Sequence, residues 1–249
     1  MNYIGDLNNQ SALGMPDVAY GLGLRTALGN RWAVRYEATK GSIHSDDYLE
    51  LRNLSFRSDI YEADIVFEFS FWNFGLGATD KTWAFYLFGG IGAFYFDPMA
   101  SYTDADGTLQ WVRLQPLHTE GQHSIEYPER KPYRLLQMSM PFGVGIKARL
   151  NKTFSLNIDY SFRKTWTDYL DDVSTTYVGA DVLQSNSDDP EMAIRMADRS
   201  GEAVEGYVNA AGIKRGDDSL NDWYACMHIS VGISLETLLG WTRSKRCKL

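Results

Sequence analysis

Residues 59–71 read Asp-Ile-Tyr-Glu-Ala-Asp-Ile-Val-Phe-Glu-Phe-Ser-Phe. Tyr61, Ala63, Ile65, Phe67, Phe69 and Phe71 share one parity, and Glu62, Asp64, Glu68 and Ser70 share the other. An extended strand sends successive side chains to opposite faces, so one face is aromatic and apolar and the other is acidic. A strand with lipid outside and a charged interior has this pattern. A soluble strand with one wet face rarely spends so many aromatics on a single side.

Seven further segments carry the same alternation: residues 1–7, 17–28, 31–40, 82–96, 133–150, 153–167 and 222–235. Val18, Tyr20, Leu22 and Leu24 are in phase, as are Trp32, Val34, Tyr36 and Ala38, and Trp83, Phe85, Leu87, Ile91 and Tyr95. Phe154, Leu156, Ile158, Tyr160, Phe162 and Trp166 form the outward set of the seventh strand. Trp223, Ala225, Met227, Ile229, Val231, Ile233 and Leu235 form that of the eighth. Gly89, Gly90 and Gly92 mark space or a bend in the fifth strand, and Pro141 marks a bulge in the sixth.

The connections alternate in length. Gly29-Asn30, residues 72–81 and Asn151-Lys152 are short, whereas 43–56, 98–132 and 168–221 are long. Outer-membrane barrels put short turns on the periplasmic end and long loops outside. An even strand count closes without an edge, as lipid requires. Trp32, Trp83 and Phe154 fall near the short turns, and Tyr95, Trp166 and Trp223 near the long loops, as two interfacial belts. The expectation is an all-β fold: an eight-stranded antiparallel transmembrane β-barrel over 1–236, with long extracellular loops. A short basic periplasmic tail over 237–249 follows, and both termini are periplasmic.

No run of about 18 apolar residues is present, which excludes a transmembrane helix but not strands. The net charge of −8 argues against a nucleic-acid partner. No secretory signal opens the chain. Residues 1–7 already read as a strand, so they are expected to lie inside a longer precursor. The two cysteines, Cys226 and Cys247, lie too far apart along the strand and tail for an intrachain disulfide.

The inward phase collects Arg25, Arg35, Lys147, Arg149 and Arg163 with Glu37, Glu62, Asp64, Glu68 and Asp159. Eight strands leave an interior that side chains just fill. These residues are therefore expected to form a salt-bridged plug, with a narrow ion or proton path as the alternative. His118, Glu120 and His123 could ligate zinc, although an exposed polar loop explains them better. Asp168, Asp171 and Asp172, with Asp188 and Asp189 further on, could offer oxygen to calcium, against a solvated acidic loop. Ser42, His44, Ser45 and Asp46 are candidates for a rim lipid hydrolase, but neighbouring loop residues rarely adopt triad geometry. No metal, cofactor or catalytic residue is assigned. Arg243, Lys245, Arg246 and Lys248 in the tail are candidates for docking an acidic partner.

Several strings carry a resemblance: 2–7 (Asn-Tyr-Ile-Gly-Asp-Leu), 114–122 (Leu-Gln-Pro-Leu-His-Thr-Glu-Gly-Gln), 141–145 (Pro-Phe-Gly-Val-Gly), 167–174 (Thr-Asp-Tyr-Leu-Asp-Asp-Val-Ser) and 221–224 (Asn-Asp-Trp-Tyr). With them the chain resembles a family of Bacteroidota outer-membrane barrels, of which the PorG-type barrel of the type IX secretion system is the nearest named kind. The resemblance implies an eight-stranded barrel and association with the periplasmic lipoprotein ring of that machine. It implies a non-enzymatic component that anchors or organises the ring. Small structural, narrow-pore and surface-binding barrels outside secretion are the alternatives.

Overall fold

The computed structural model describes residues 1–7, 17–47, 49, 51–74 and 82–235. The basic tail with Arg243, Lys245, Arg246 and Lys248, and also Cys247, lie outside them. The strands are β1 (Asn2–Ile4), β2 (Tyr20–Ala27), β3 (Trp32–Asp46), β4 (Ser55–Ser70), β5 (Trp83–Tyr95), β6 (Pro98–Thr103), β7 (Leu109–Arg113), β8 (Leu136–Arg149), β9 (Phe154–Thr165) and β10 (Trp223–Ile233). Three short helices, α1 (Ala180–Asn186), α2 (Pro190–Ala197) and α3 (Ser200–Ala203), lie between β9 and β10.

All ten strands belong to one sheet, and every pairing is antiparallel. Its main path runs β1-β10-β9-β8-β5-β4-β3-β2. No ladder joins β1 to β2 among the described residues, so the sheet is open there. Its two ends meet at one point, where the Asp17 N–H donates to the Met1 carbonyl at 2.9 Å and the Met1 amino group donates to Asp17 O. The sheet is strongly curled, because Arg35 on β3 reaches Asp159 on β9 at 3.4 Å although three strands separate them in the order.

The curl encloses the polar face. Along β4, exposure alternates residue by residue: Glu62, Asp64, Val66, Glu68 and Ser70 are buried. Tyr61, Ile65, Phe67 and Phe71 are exposed. Apolar side chains of the outward phase are exposed on every long strand, from Leu22 and Leu24 to Ile229 and Val231. Ala225 departs from the expected set. It is buried in the ladder between Asn2 and Phe162.

Gly90 and Gly92 on β5 are among the glycines that make close approaches. A Cβ on Gly90 would lie 2.1 Å from the Ile65 carbonyl oxygen, and one on Gly92 would lie 1.9 Å from Asp64 Oδ1. Pro141 is not at a bulge. The β5–β8 register is unshifted between Gly89↔Phe142 and Gly92↔Ser139; only the intervening two positions are unpaired. Proline has no N–H to give that ladder, and Pro141 keeps its register opposite Arg163 on β9.

The long connections carry more structure than their sequences indicate. The first is only 47–54, because β3 and β4 continue as a hairpin past the expected ends. The second holds β6 and β7, with β6 added to β4 at Arg57↔Met99. The third carries the helices. Their Val182, Leu183, Ala193 and Met196 join Tyr3, Ile43, Phe56, Phe94 and Phe96 in one apolar core at the long-loop end. An apolar cluster thus lies beneath the loops, and charged side chains lie within the sheet.

Candidate functional site: a charged interior beneath a polar cap

The interior charges arise from period-two strands whose inward positions meet after curling. Glu68 on β4 is the hub of one group. It accepts Arg25 Nε at 2.7 Å and Lys147 Nζ at 3.1 Å, and Arg35 Nη1 lies 3.3 Å from its other oxygen. Arg35 also meets Glu37 at 3.0 Å and Asp159 at 3.4 Å. A second group centres on Arg163, whose Nε lies 3.1 Å from Glu62 and whose Nη2 lies 3.7 Å from Asp64. Glu62 also accepts the hydroxyls of Tyr224 (2.8 Å) and Ser139 (3.1 Å). Pairing of this kind is what makes buried charge tolerable.

Arg25, Arg35, Glu37, Glu62, Asp64, Glu68, Lys147, Asp159 and Arg163 of the expected interior network meet opposite charges in two groups. Arg149 lies nearer the short turns, with its guanidinium 5.2 Å from the Phe74 ring centroid. Counting charges alone missed Tyr86, Tyr224, Ser139 and His228, although they share the inward parity. Tyr86 donates to Asp159 at 2.9 Å, and His228 Nδ1 lies 3.2 Å from that carboxylate's other oxygen.

Above this interior, residues 167–174 form a buried cap. Asp172 accepts the hydroxyls of Thr119 (2.5 Å) and Tyr133 (2.7 Å). Glu120 accepts the backbone N–H groups of Ser174 (2.9 Å) and Thr175, and pairs with Arg215 Nη1 at 3.0 Å. Arg215, almost fully buried, also donates to the carbonyls of Ala197 and Asp172. Arg52 ties in the first loop by donating to the carbonyls of Arg215 and Asp6 and pairing with Asp47.

Tyr3 Oη lies 2.6 Å from Asp171 Oδ2 and 2.8 Å from Asp222 Oδ1. One hydroxyl proton can serve only one of them, so a proton on Asp171 or Asp222 must complete the other contact. Burial pushes Asp171 upward, with Asp6 adding to the shift and the Tyr3 hydroxyl opposing it. Burial also raises Asp168 to about 8 and Asp172 to about 6, the latter opposed chiefly by Arg215. The folded cap thus binds more protons than the unfolded chain, whose carboxyls titrate near 4. The stability these cap carboxyls contribute is then fully present below about pH 4 and is lost as the pH rises to about 8. Amide exchange over 168–175, corrected for its intrinsic pH dependence, is expected to slow when the pH is lowered from 8 to 5. Faster exchange at pH 5 would contradict the shared protons.

The remaining candidates are dispersed. Glu120 turns inward to Arg215, while the His118 and His123 rings stand 6.3 Å apart. Asp189 caps α2 by accepting the Met192 N–H. Among the described residues no three His, Cys, Asp or Glu side chains converge as a metal set. Ser42, His44, Ser45 and Asp46 lie on a strand, not a loop, so Ser45 faces opposite to His44 and Asp46. His44 instead meets Asp17 at 2.6 Å.

A family model described as a domain of unknown function (DUF6089) matches residues 1–110, the stretch from β1 to the start of β7. No curated protein and no solved structure matches the chain. The matched stretch holds Arg25, Arg35, Glu37, Glu62, Asp64 and Glu68, the β2–β4 half of the interior network. Their partners Lys147, Asp159 and Arg163 lie beyond it.

Proposed function

We propose that the chain is a closed eight-stranded β-barrel of the outer membrane, with short turns and both termini on the periplasmic side. The observation that carries this reading is the reversed polarity of the sheet. Tyr61, Ile65 and Phe67 face out while Glu62, Asp64 and Glu68 are buried. A water-soluble sheet with one covered face does the opposite. Contiguous exposed apolar surface on this scale marks a lipid or protein contact. Exposed Trp32, Trp83 and Phe154 at the turn end, and Tyr95 and Trp166 at the loop end, suit the two headgroup levels.

On this reading the barrel acts as a non-enzymatic anchor. Side chains of β3, β4, β8 and β9 meet across its interior, and buried loops cover its outer end. That supports action through the ends of the barrel rather than transport through its middle. Together with the resemblance to PorG-type barrels, it favours a component of the type IX secretion system that organises the periplasmic lipoprotein ring. The short turns, and Arg243, Lys245, Arg246 and Lys248 of the tail, are the candidate contacts. Purification of the full chain in mild detergent is expected to bring down ring lipoproteins, and neutralising the four tail cations is expected to weaken the association at moderate salt. If the full chain captures no ring protein, the anchoring role is wrong. Conductance in planar bilayers would point to the pore alternative.

A further inference from the structure

We propose that Cys226, His228 and Asp159 form a nucleophilic thiol site within the sheet's enclosed face, open to small, uncharged, soft electrophiles. Cys226 and His228 are two apart on β10 and point to the same side, and Asp159 stands directly opposite His228 on β9. Cys226 Sγ lies 3.1 Å from His228 Nε2, and His228 Nδ1 lies 3.2 Å from Asp159 Oδ1. This is the order of nucleophile, base and orienting carboxylate that activates a weak nucleophile. The two ring nitrogens are committed to different neighbours, so the three side chains form a relay rather than converging on a metal.

The surroundings hold the relay in place. Asp159 Oδ2 accepts the Tyr86 hydroxyl at 2.9 Å and lies 3.4 Å from Arg35. That leaves Oδ1 directed at the imidazole and favours the tautomer with its proton on Nδ1. Ser161, opposite Cys226 in the ladder, donates to the Cys226 carbonyl at 3.1 Å, which fixes the backbone carrying the thiol. The Arg163 guanidinium is the nearby cation on β9, itself balanced by Glu62 and Asp64 of β4. Cys226 is 2% exposed, which restricts the site to small reagents. The His228 side chain is 20% exposed and Ser230 below it is exposed, so approach is from the short-turn side.

In the reaction the Cys226 proton passes to His228 Nε2. The sulfur lone pair then attacks the sulfenyl sulfur of a thiosulfonate or a small disulfide. A new S–S bond forms, the old one breaks, and the sulfinate or thiolate leaves with the bonding pair. Methyl methanethiosulfonate is a suitable probe: the product carries a methylthio group on Cys226, and methanesulfinate departs.

The test uses the full chain carrying Cys247→Ser, folded in detergent and again unfolded in urea, with labelling at pH 7 followed by mass spectrometry. A free cysteine is only a few per cent thiolate at pH 7, so proton transfer to His228 is expected to make the folded thiol react about tenfold faster than the unfolded one. A merely buried thiol reacts more slowly when folded. His228→Gln, with its β-sheet circular dichroism retained, is expected to lose the acceleration. Slower labelling of the folded than the unfolded chain, or equal rates with and without His228, would overturn the proposal. If His228→Gln does not fold, the folded-to-unfolded ratio of the parent decides alone. The site does not depend on the anchoring role, and single-shot modification requires no turnover.

Discussion

Ile91→Arg is expected to destabilise the protein by about 2–4 kcal/mol in lipid vesicles, the penalty for arginine near the midplane of a barrel's lipid face. Ile91 is 59% exposed near the middle of β5, opposite Ile65 in the β4 ladder. On a water-facing sheet an exposed isoleucine away from any special feature can be replaced within roughly ±0.5 kcal/mol. The two environments therefore predict effects that differ several-fold for the same exposed side chain. Urea unfolding in vesicles, followed by tryptophan fluorescence, reads the difference. A midpoint indistinguishable from that of the parent would remove lipid from the outward face and the barrel reading with it.

Arg163→Met is expected to cost about 3–5 kcal/mol, because it strands buried carboxylates without their cation. Arg163 is 1% exposed and lies against Glu62 and Asp64, both also buried. Methionine keeps much of the volume, so the loss reports charge rather than a cavity. Adding Glu62→Gln to Arg163→Met is expected to recover part of the loss by removing one stranded charge, giving a favourable coupling between the two sites. Denaturant midpoints of the parent, both single variants and the double variant close the cycle. A single-variant loss below about 1 kcal/mol would mean that water already reaches this group, as it does at exposed pairs.

The strands and the identity of their inward residues were legible because a two-residue period is a local property. Glu62, Asp64 and Glu68 could be assigned to one face without knowing any partner. Strand ends were less legible. Residues 41–46 mix glycine, serine and histidine with isoleucine and read as a loop, yet the pairing of Ile43 with Ser58 and His44 with Arg57 extends β3 and β4 well beyond the expected turn. Ladder hydrogen bonds there override composition, since they depend on the neighbouring strand more than on the side chains. Likewise Pro141 marks a break in the β5–β8 ladder, but whether that break shifts the register depends on β5.

The cap was the least legible part. The string 167–174 stood out by resemblance, but no local signal tied Arg215 to Glu120 or Tyr3 to Asp171 and Asp222. Those contacts join residues 95, 168 and 219 positions apart in the chain. The same holds for Cys226 and His228. Their parity was readable, whereas Asp159 became their third member only through the β9–β10 register.

By itself, then, the sequence determined which face of each strand is apolar and which is charged, because side-chain alternation follows from backbone geometry. Only the tertiary structure decided which charge meets which. The curl of the sheet brings β3 to β9 and β4 to β9, and a period of two says nothing about strands that are not neighbours.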